Sequence, residues 1–145
     1  MRLTTFTDYT IRVLIYSAIH PEQIVTVGEL AEKYEISRNH LTKVIHYLGQ
    51  QGYVETLRGK GGGIRLATPA EKINLGQLIR DTEKNSFLAE CFNKESCHCK
   101  ILPACRLTGI LREAQEAFYQ VLGQYTIADL IVNAAKLDNL LVFKR

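Results

Sequence analysis

The sequence predicts a mainly α-helical domain with a small β-hairpin wing: a winged helix-turn-helix followed by a long dimerisation helix. Three observations predict it. Apolar residues recur at helical spacing from Ile11 to Leu48. Two short β-branched segments flank the cationic, glycine-rich run Arg58-Gly59-Lys60-Gly61-Gly62-Gly63. A heptad apolar repeat then runs through the last third of the chain.

Each element has its own signals. Ile11, Leu14, Ile15, Ala18 and Ile19 form the stripe of a first helix that stops before Pro21. Thr26 opens a second as a capping box with Glu29, and Leu30, Ala31 and Tyr34 follow it. Ile36 and Ser37 make a short turn, and Ser37 caps a third helix. Its Leu41, Val44, Ile45 and Leu48 share one face, and Gly49 and Gly52 end it. Strands are expected over Tyr53–Leu57 and Ile64–Ala67. After Pro69, a helix capped by Asn74 with Gln77 carries Leu75, Leu78 and Ile79. Asn85 to Pro103 shows no periodicity. A long helix is expected from Ala104, where Leu107, Leu111, Ala114, Phe118, Val121 and Tyr125 trace a heptad seam. Thr126 with Asp129 caps a final helix. The predicted organisation is a winged helix-turn-helix over residues 1–80, completed by a helix over 126–145. A loop over 81–103 and a dimerisation helix over 104–125 lie between.

With 145 residues and 46% hydrophobic content, the chain is expected to bury a core as one domain, or one domain with an appendage. Its apolar runs are too short to cross a bilayer, and its start lacks the pattern of a signal peptide. A cytoplasmic, membrane-free protein is the expectation. The net charge of +3 says little, but its distribution says more. Between Ser37 and Arg65 stand Arg38, Lys43, Arg58, Lys60 and Arg65 against the single acid Glu55. A local basic stretch in a near-neutral chain is the footprint of a phosphate-binding face.

Duplex DNA fits that face. Arg38, Asn39, His40 and Lys43 project away from the apolar stripe of the third helix. Those at its start can reach base edges, with Arg38 suited to guanine and Asn39 to adenine, while Lys43 suits a phosphate. In the wing, Arg58 and Lys60 neutralise phosphates or enter the minor groove. The glycines, Gly61 and Gly62 among them, let backbone approach the duplex. Such domains read inverted repeats as two-fold dimers, and the heptad helix supplies the dimer contact. No catalytic constellation or cofactor fingerprint is present, which argues against an enzyme.

All four cysteines fall in one segment, Cys91-x5-Cys97-x-Cys99-x5-Cys105. In a reducing compartment such clustering reads as metal ligation rather than disulfides. Four thiolates suit a structural zinc, although no paired C-x2-C knuckle is present. The longer separations suit an iron–sulfur cluster held by three cysteines and one foreign ligand. Spacing alone leaves both open.

The segments Leu3-Thr4-Thr5-Phe6-Thr7-Asp8-Tyr9, Ser37-Arg38-Asn39-His40-Leu41, Arg58 to Leu66, Pro103 to Leu107 and Tyr125 to Leu130 resemble the NsrR repressors. These are nitric-oxide-sensing members of the iron–sulfur winged-helix regulators that also include IscR. The resemblance spans essentially the whole chain. It implies a homodimeric repressor of nitric-oxide detoxification genes that releases its operator when its cluster is nitrosylated. It also implies a cluster held by Cys91, Cys99 and Cys105 with Asp8 of the partner subunit, of the 4Fe-4S type, with 2Fe-2S as the alternative. Cys97 has no counterpart in the pattern and is either a substitute for Cys99 or a bystander. IscR-type proteins place a histidine three residues after the last cysteine; Thr108 stands there, and His98 is a spare loop candidate. Alternatives within the same fold are a regulator sensing iron–sulfur or redox status, or one carrying structural zinc.

Overall fold

The computed structural model describes residues 2–93 and 95–142; Met1, Lys94 and 143–145, the end of the predicted final helix, lie outside the described residues. Seven helices and one hairpin follow in the order α1 (Thr5–Ile19), α2 (Val27–Tyr34), α3 (Arg38–Gln50), β1 (Val54–Leu57), β2 (Gly63–Leu66), α4 (Leu75–Thr82), α5 (Leu107–Leu122), α6 (Ile127–Leu130) and α7 (Ala134–Val142).

Helix starts follow the capping residues. Thr4, Thr26, Ser37 and Asn74 each accept the N–H of the residue three further on: Thr7, Glu29, His40 and Gln77. Thr126 and Asp129 form the reciprocal box expected of them. The Glu29 carboxylate is drawn elsewhere: it accepts the Tyr16 hydroxyl at 2.6 Å. Tyr16 is buried, and its O–H needs a partner that the helix cannot supply.

The core joins α1, α2, α3 and the hairpin through Val13, Leu14, Leu30, Leu41, Val44, Leu48, Val54 and Ile64. Val25 extends the hairpin, exchanging two 2.8 Å backbone hydrogen bonds with Ile64. The wing is therefore locked to the segment entering α2. In the hairpin, Val54 faces Leu66 and Leu57 faces Gly63. The turn into α3 is made by Glu35, which is left-handed at φ 56°.

The C-terminal half returns to this core. Ile127 of α6 is fully buried, and its N–H donates to the Ile73 carbonyl. At the crossing of α4 and α5, a Cβ on Gly76 would stand 2.5 Å from the Gly123 nitrogen and the Tyr119 carbonyl oxygen. Asn74 Nδ2 donates to the Gly123 carbonyl at 2.7 Å, and the Leu75 N–H donates to that of Tyr125 at 2.9 Å. The C-terminal end of α5 is thus pinned to α4.

Three expectations are corrected. Helix α5 begins at Leu107, not Ala104, because residues 102–104 form a 3-10 turn containing Pro103 and Cys105 is extended. The final helix is two pieces, since the chain leaves helical geometry at Ile131 before α7 starts. The heptad seam is split: Phe118 packs against the core, whereas Leu107, Val121 and Tyr125 are exposed.

A candidate nucleic-acid interface and a cysteine hollow

Helix α3 turns Leu41, Val44, Ile45 and Leu48 into the core, which leaves Arg38, Asn39, His40 and Lys43 exposed on the far side. Thr42 and His46 are exposed beside them, and the sequence reading did not name them. Helical periodicity carries the signal for both, because they lie off the apolar stripe. The Arg38 guanidinium lies over the first turn of α2, where a Cβ on Gly28 would come within 3.3 Å of Nη2. The His40 ring stands 6.0 Å from that of Tyr9, and the two line a groove with Phe6 and Lys43 between α1 and α3.

In the wing, Arg58 and Lys60 are exposed, and Gly59 and Gly61 adopt φ of 95° and 79°. Both glycines have open space where a side chain would stand. Gly62 differs. Its Cβ would fall 2.3 Å from the Leu57 carbonyl oxygen, and that of Gly63 2.4 Å from Val25 O. Hairpin geometry therefore accounts for Gly62 and Gly63, and Gly59 and Gly61 are the open glycines at the tip. Arg65 pairs with Glu55 across the hairpin, so the cations left facing outward are Arg38, Lys43, Arg58 and Lys60.

The four cysteines are free thiols, each partly buried. Cys91 lies in a short 3-10 turn and Cys105 immediately precedes α5. Cys91, Cys97 and Cys105 line one open hollow of about 470 Å³ with Leu102, Thr108, Gly109 and Arg112. Cys99, the ligand expected from the family pattern, lies outside that lining; its carbonyl accepts the Leu102 N–H. The His98 backbone N–H donates to Glu90 Oε1 at 2.6 Å, tying the loop back to the turn that carries Cys91. The N–H groups of Thr108 and Leu107 at the start of α5 hold the Cys105 thiol below its ordinary pKa, against the raising effect of burial.

The donor set suits a soft metal or an iron–sulfur cluster, and the hollow has room for a bulky group. Among the described residues, however, no three His, Cys, Asp or Glu side chains converge closely enough to hold a metal ion. The loop gathers three donors without closing them. Asp8 is not part of the hollow. It is half-exposed, pairs with Arg12 at 3.0 Å, and lines a separate cleft with Tyr9, Arg12 and Tyr34.

One residue of the region had no sequence signal. Glu83 ends α4, is only 6% exposed, and accepts the Thr4 N–H, the Thr4 hydroxyl and the Thr7 hydroxyl. Burial alone would raise its pKa; the hydrogen bonds from Thr7, Thr4 and Ser86 outweigh it and leave the carboxyl below its ordinary value. It joins the start of α1 to the end of α4, where the cysteine segment departs.

An exposed α3 beside a cationic hairpin, with the N-terminal helices packed behind, defines the winged helix-turn-helix class. Residues 3–133 match the Rrf2 family, described as "Iron-dependent Transcriptional regulator", and the chain belongs to that family. It is 50% identical to the HTH-type transcriptional regulator NsrR of Shouchella clausii, over 99% of this chain and 97% of that one. It is 47% identical to the HTH-type transcriptional regulator NsrR of Bacillus subtilis, over 99% of each chain. Among solved structures, T. potens IscR superposes with a TM-score of 0.71 at 23% identity, covering 92% of this chain and 88% of that one. The oxidized form of Staphylococcus aureus CymR gives 0.70 at 23% identity, covering 91% and 97%. The chain is a transcriptional regulator with a winged-helix fold. Among the described residues no helix is long and apolar enough to cross a membrane.

Proposed function

We propose that this chain is a homodimeric, DNA-binding repressor that senses nitric oxide through an iron–sulfur cluster of the 4Fe-4S type. The observation that carries the reading is the presence in one chain of an exposed α3-and-wing face and of three thiols lining one hollow. The full-length similarity to NsrR-named regulators supports it.

In this reading Arg38, Asn39 and His40, at the start of α3, address base edges in the major groove, and Lys43 addresses a phosphate. Arg58 and Lys60 contact backbone beside the groove, and Gly61 lets the wing tip approach closely. Two chains associate through exposed apolar residues, Leu107, Ile110 and Val121 of α5 with Tyr125 just after it, and so read an inverted repeat.

Cys91 and Cys105 supply two thiolate ligands and Cys97 or Cys99 the third, with Asp8 of the partner subunit as the fourth ligand. Bound there, the cluster supplies the iron with which nitric oxide reacts. The rest belongs to the chain. Arg12 holds Asp8 by its ion pair, and Tyr9, the next residue, packs towards His40. A shift of the first turn of α1 is therefore felt directly at the start of α3. Moving the operator-bound population substantially needs only a few kcal/mol of differential binding.

The test is anaerobic purification followed by an absorption spectrum, iron and sulfide analysis, and operator binding before and after nitric oxide. The expected result is a brown protein whose visible band bleaches as DNA is released. A colourless protein holding zinc, or one that takes up no cluster on reconstitution, overturns the sensor chemistry and leaves the DNA-binding regulator.

A further inference from the structure

Two glycines on the α4–α5 side of the molecule are helical, and their surroundings differ. Gly76 has a packing reason, since any side chain there would strike the backbone of α5. Gly109 has none. It lies in the first turn of α5, is exposed, and has no atom within 4 Å of where a Cβ would stand. Its φ is not left-handed, so no backbone requirement selects glycine either. A glycine inside a helix weakens it relative to alanine. Gly109 is one of the residues lining the hollow that Cys91, Cys97 and Cys105 share. One turn on, Arg112 lines the same hollow, and its guanidinium stands 5.8 Å from the Phe92 ring, beside Cys91.

We infer that Gly109 and Arg112 form the seat of a bulky anionic group held by the loop thiolates. Gly109 keeps the floor of the hollow clear, and Arg112 sets a fixed positive charge against the group. The inference rests on the cluster reading above and adds two residues that are not ligands. A group made of iron, sulfide and thiolates is both large and anionic, whereas a lone zinc ion on four thiolates would sit within the donors and need no cleared floor. Arg112 acts as a positioning residue: stacked on the ring that follows Cys91, it holds charge and loop in register.

Gly109→Ala is tested by two effects of opposite sign, on stability and on cluster retention, and Arg112 by the charge it sets in the hollow. Gly109→Ala is expected to raise the melting temperature of the cluster-free protein by about 4 °C, because alanine is the better helix former. On reconstitution with ferrous iron and sulfide, the same variant should retain less iron and sulfide per chain than wild type. Arg112→Gln should weaken cluster retention about tenfold, with Arg112→Lys restoring most of it. In the cluster-free protein, Arg112→Gln should also slow alkylation of the loop thiols by iodoacetate more than by uncharged iodoacetamide. Equal retention in wild type and Gly109→Ala overturns the seat. So does a Gly109→Ala variant that loses dimerisation by sedimentation while keeping its cluster. If wild type itself takes up no cluster, the sensor reading fails instead. The ratio of iodoacetate to iodoacetamide rates then still decides whether Arg112 charges the hollow.

Discussion

Glu83 is the residue on which the start of α1 and the end of α4 both depend. Three donors from Thr4 and Thr7 converge on one buried carboxylate, so truncating it strands buried N–H and O–H groups at once. Glu83→Ala should cost about 2–3 kcal/mol of stability, read by chemical denaturation at neutral pH. The pH dependence follows from the lowered pKa. A carboxyl depressed in the folded state stabilises it fully above its ordinary value of 4.5, and that contribution is lost as pH falls through the lower folded value. Wild type should therefore lose this stability on acidification below the ordinary carboxylate range, and Glu83→Gln should flatten the loss. On the reading face, Asn39→Ala should cost about 1–3 kcal/mol of operator binding and relax specificity at one base pair. Lys60→Ala should weaken all sequences alike and reduce the slope of log affinity against log salt by about one. Competition binding over a range of salt separates the two. Residues facing outward on α3 were legible because an apolar stripe defines its opposite side. Glu83 was not, because its partners lie far away in sequence.

At the scale of elements, caps and apolar stripes made α2 to α4 legible. Helix α1 was legible as a helix, but its buried face runs through Thr10, Val13, Leu14, Tyr16 and Ser17 rather than the Ile11, Ile15 and Ile19 side. Each helix start is decided within four residues, and local hydrogen bonds suffice to place it. Where the outcome is decided by distant packing, the sequence misleads. Gly62 and Gly63 read as room for DNA, yet the carbonyls of Leu57 and Val25 already require them. The α6–α7 break has no glycine or proline to announce it. The α4–α5 crossing is likewise silent in the sequence, and it carries a sharp expectation. Gly76→Ala places a methyl group where two backbone atoms of the other helix stand, each 2.5 Å away. It should destabilise the protein by about 1–3 kcal/mol through overpacking, with the midpoint of denaturation measuring it. The contrast with Gly109→Ala is the point: the same substitution is expected to have opposite signs in two helices of one molecule.

At the scale of the whole molecule, Leu107, Ile110 and Val121 of α5 and Tyr125 just after it stand exposed as an apolar expanse. If two chains associate through this face as proposed, Ile110→Glu should leave a monomer in sedimentation and lower operator affinity, while circular dichroism keeps its helical signal; a protein that stays dimeric would rule this face out. A heptad seam was legible in the sequence as an apolar repeat. Which of its residues serve the chain's own core was not, because Phe118 belongs to both patterns. The clustering of the cysteines was legible, but that Cys97 rather than Cys99 lines the hollow beside Cys91 and Cys105 was not, since an aperiodic loop carries no register.

Among the described residues, the hydrogen bonds and ion pair that join α5 to α4 lie towards the C-terminal end of α5. Gly76, Asn74 and Leu75 grip it from Tyr119 to Tyr125, and Arg80 reaches only as far back as Glu116. From that crossing the helix runs back to the cysteine hollow, which Thr108, Gly109 and Arg112 line. Twelve residues of helix separate Leu107 from Tyr119, a span of about 18 Å. A tilt of about ten degrees at the crossing moves the Leu107 end by about 3 Å, roughly the length of a hydrogen bond. The crossing itself lies beside the helix whose end Glu83 fastens to the start of α1.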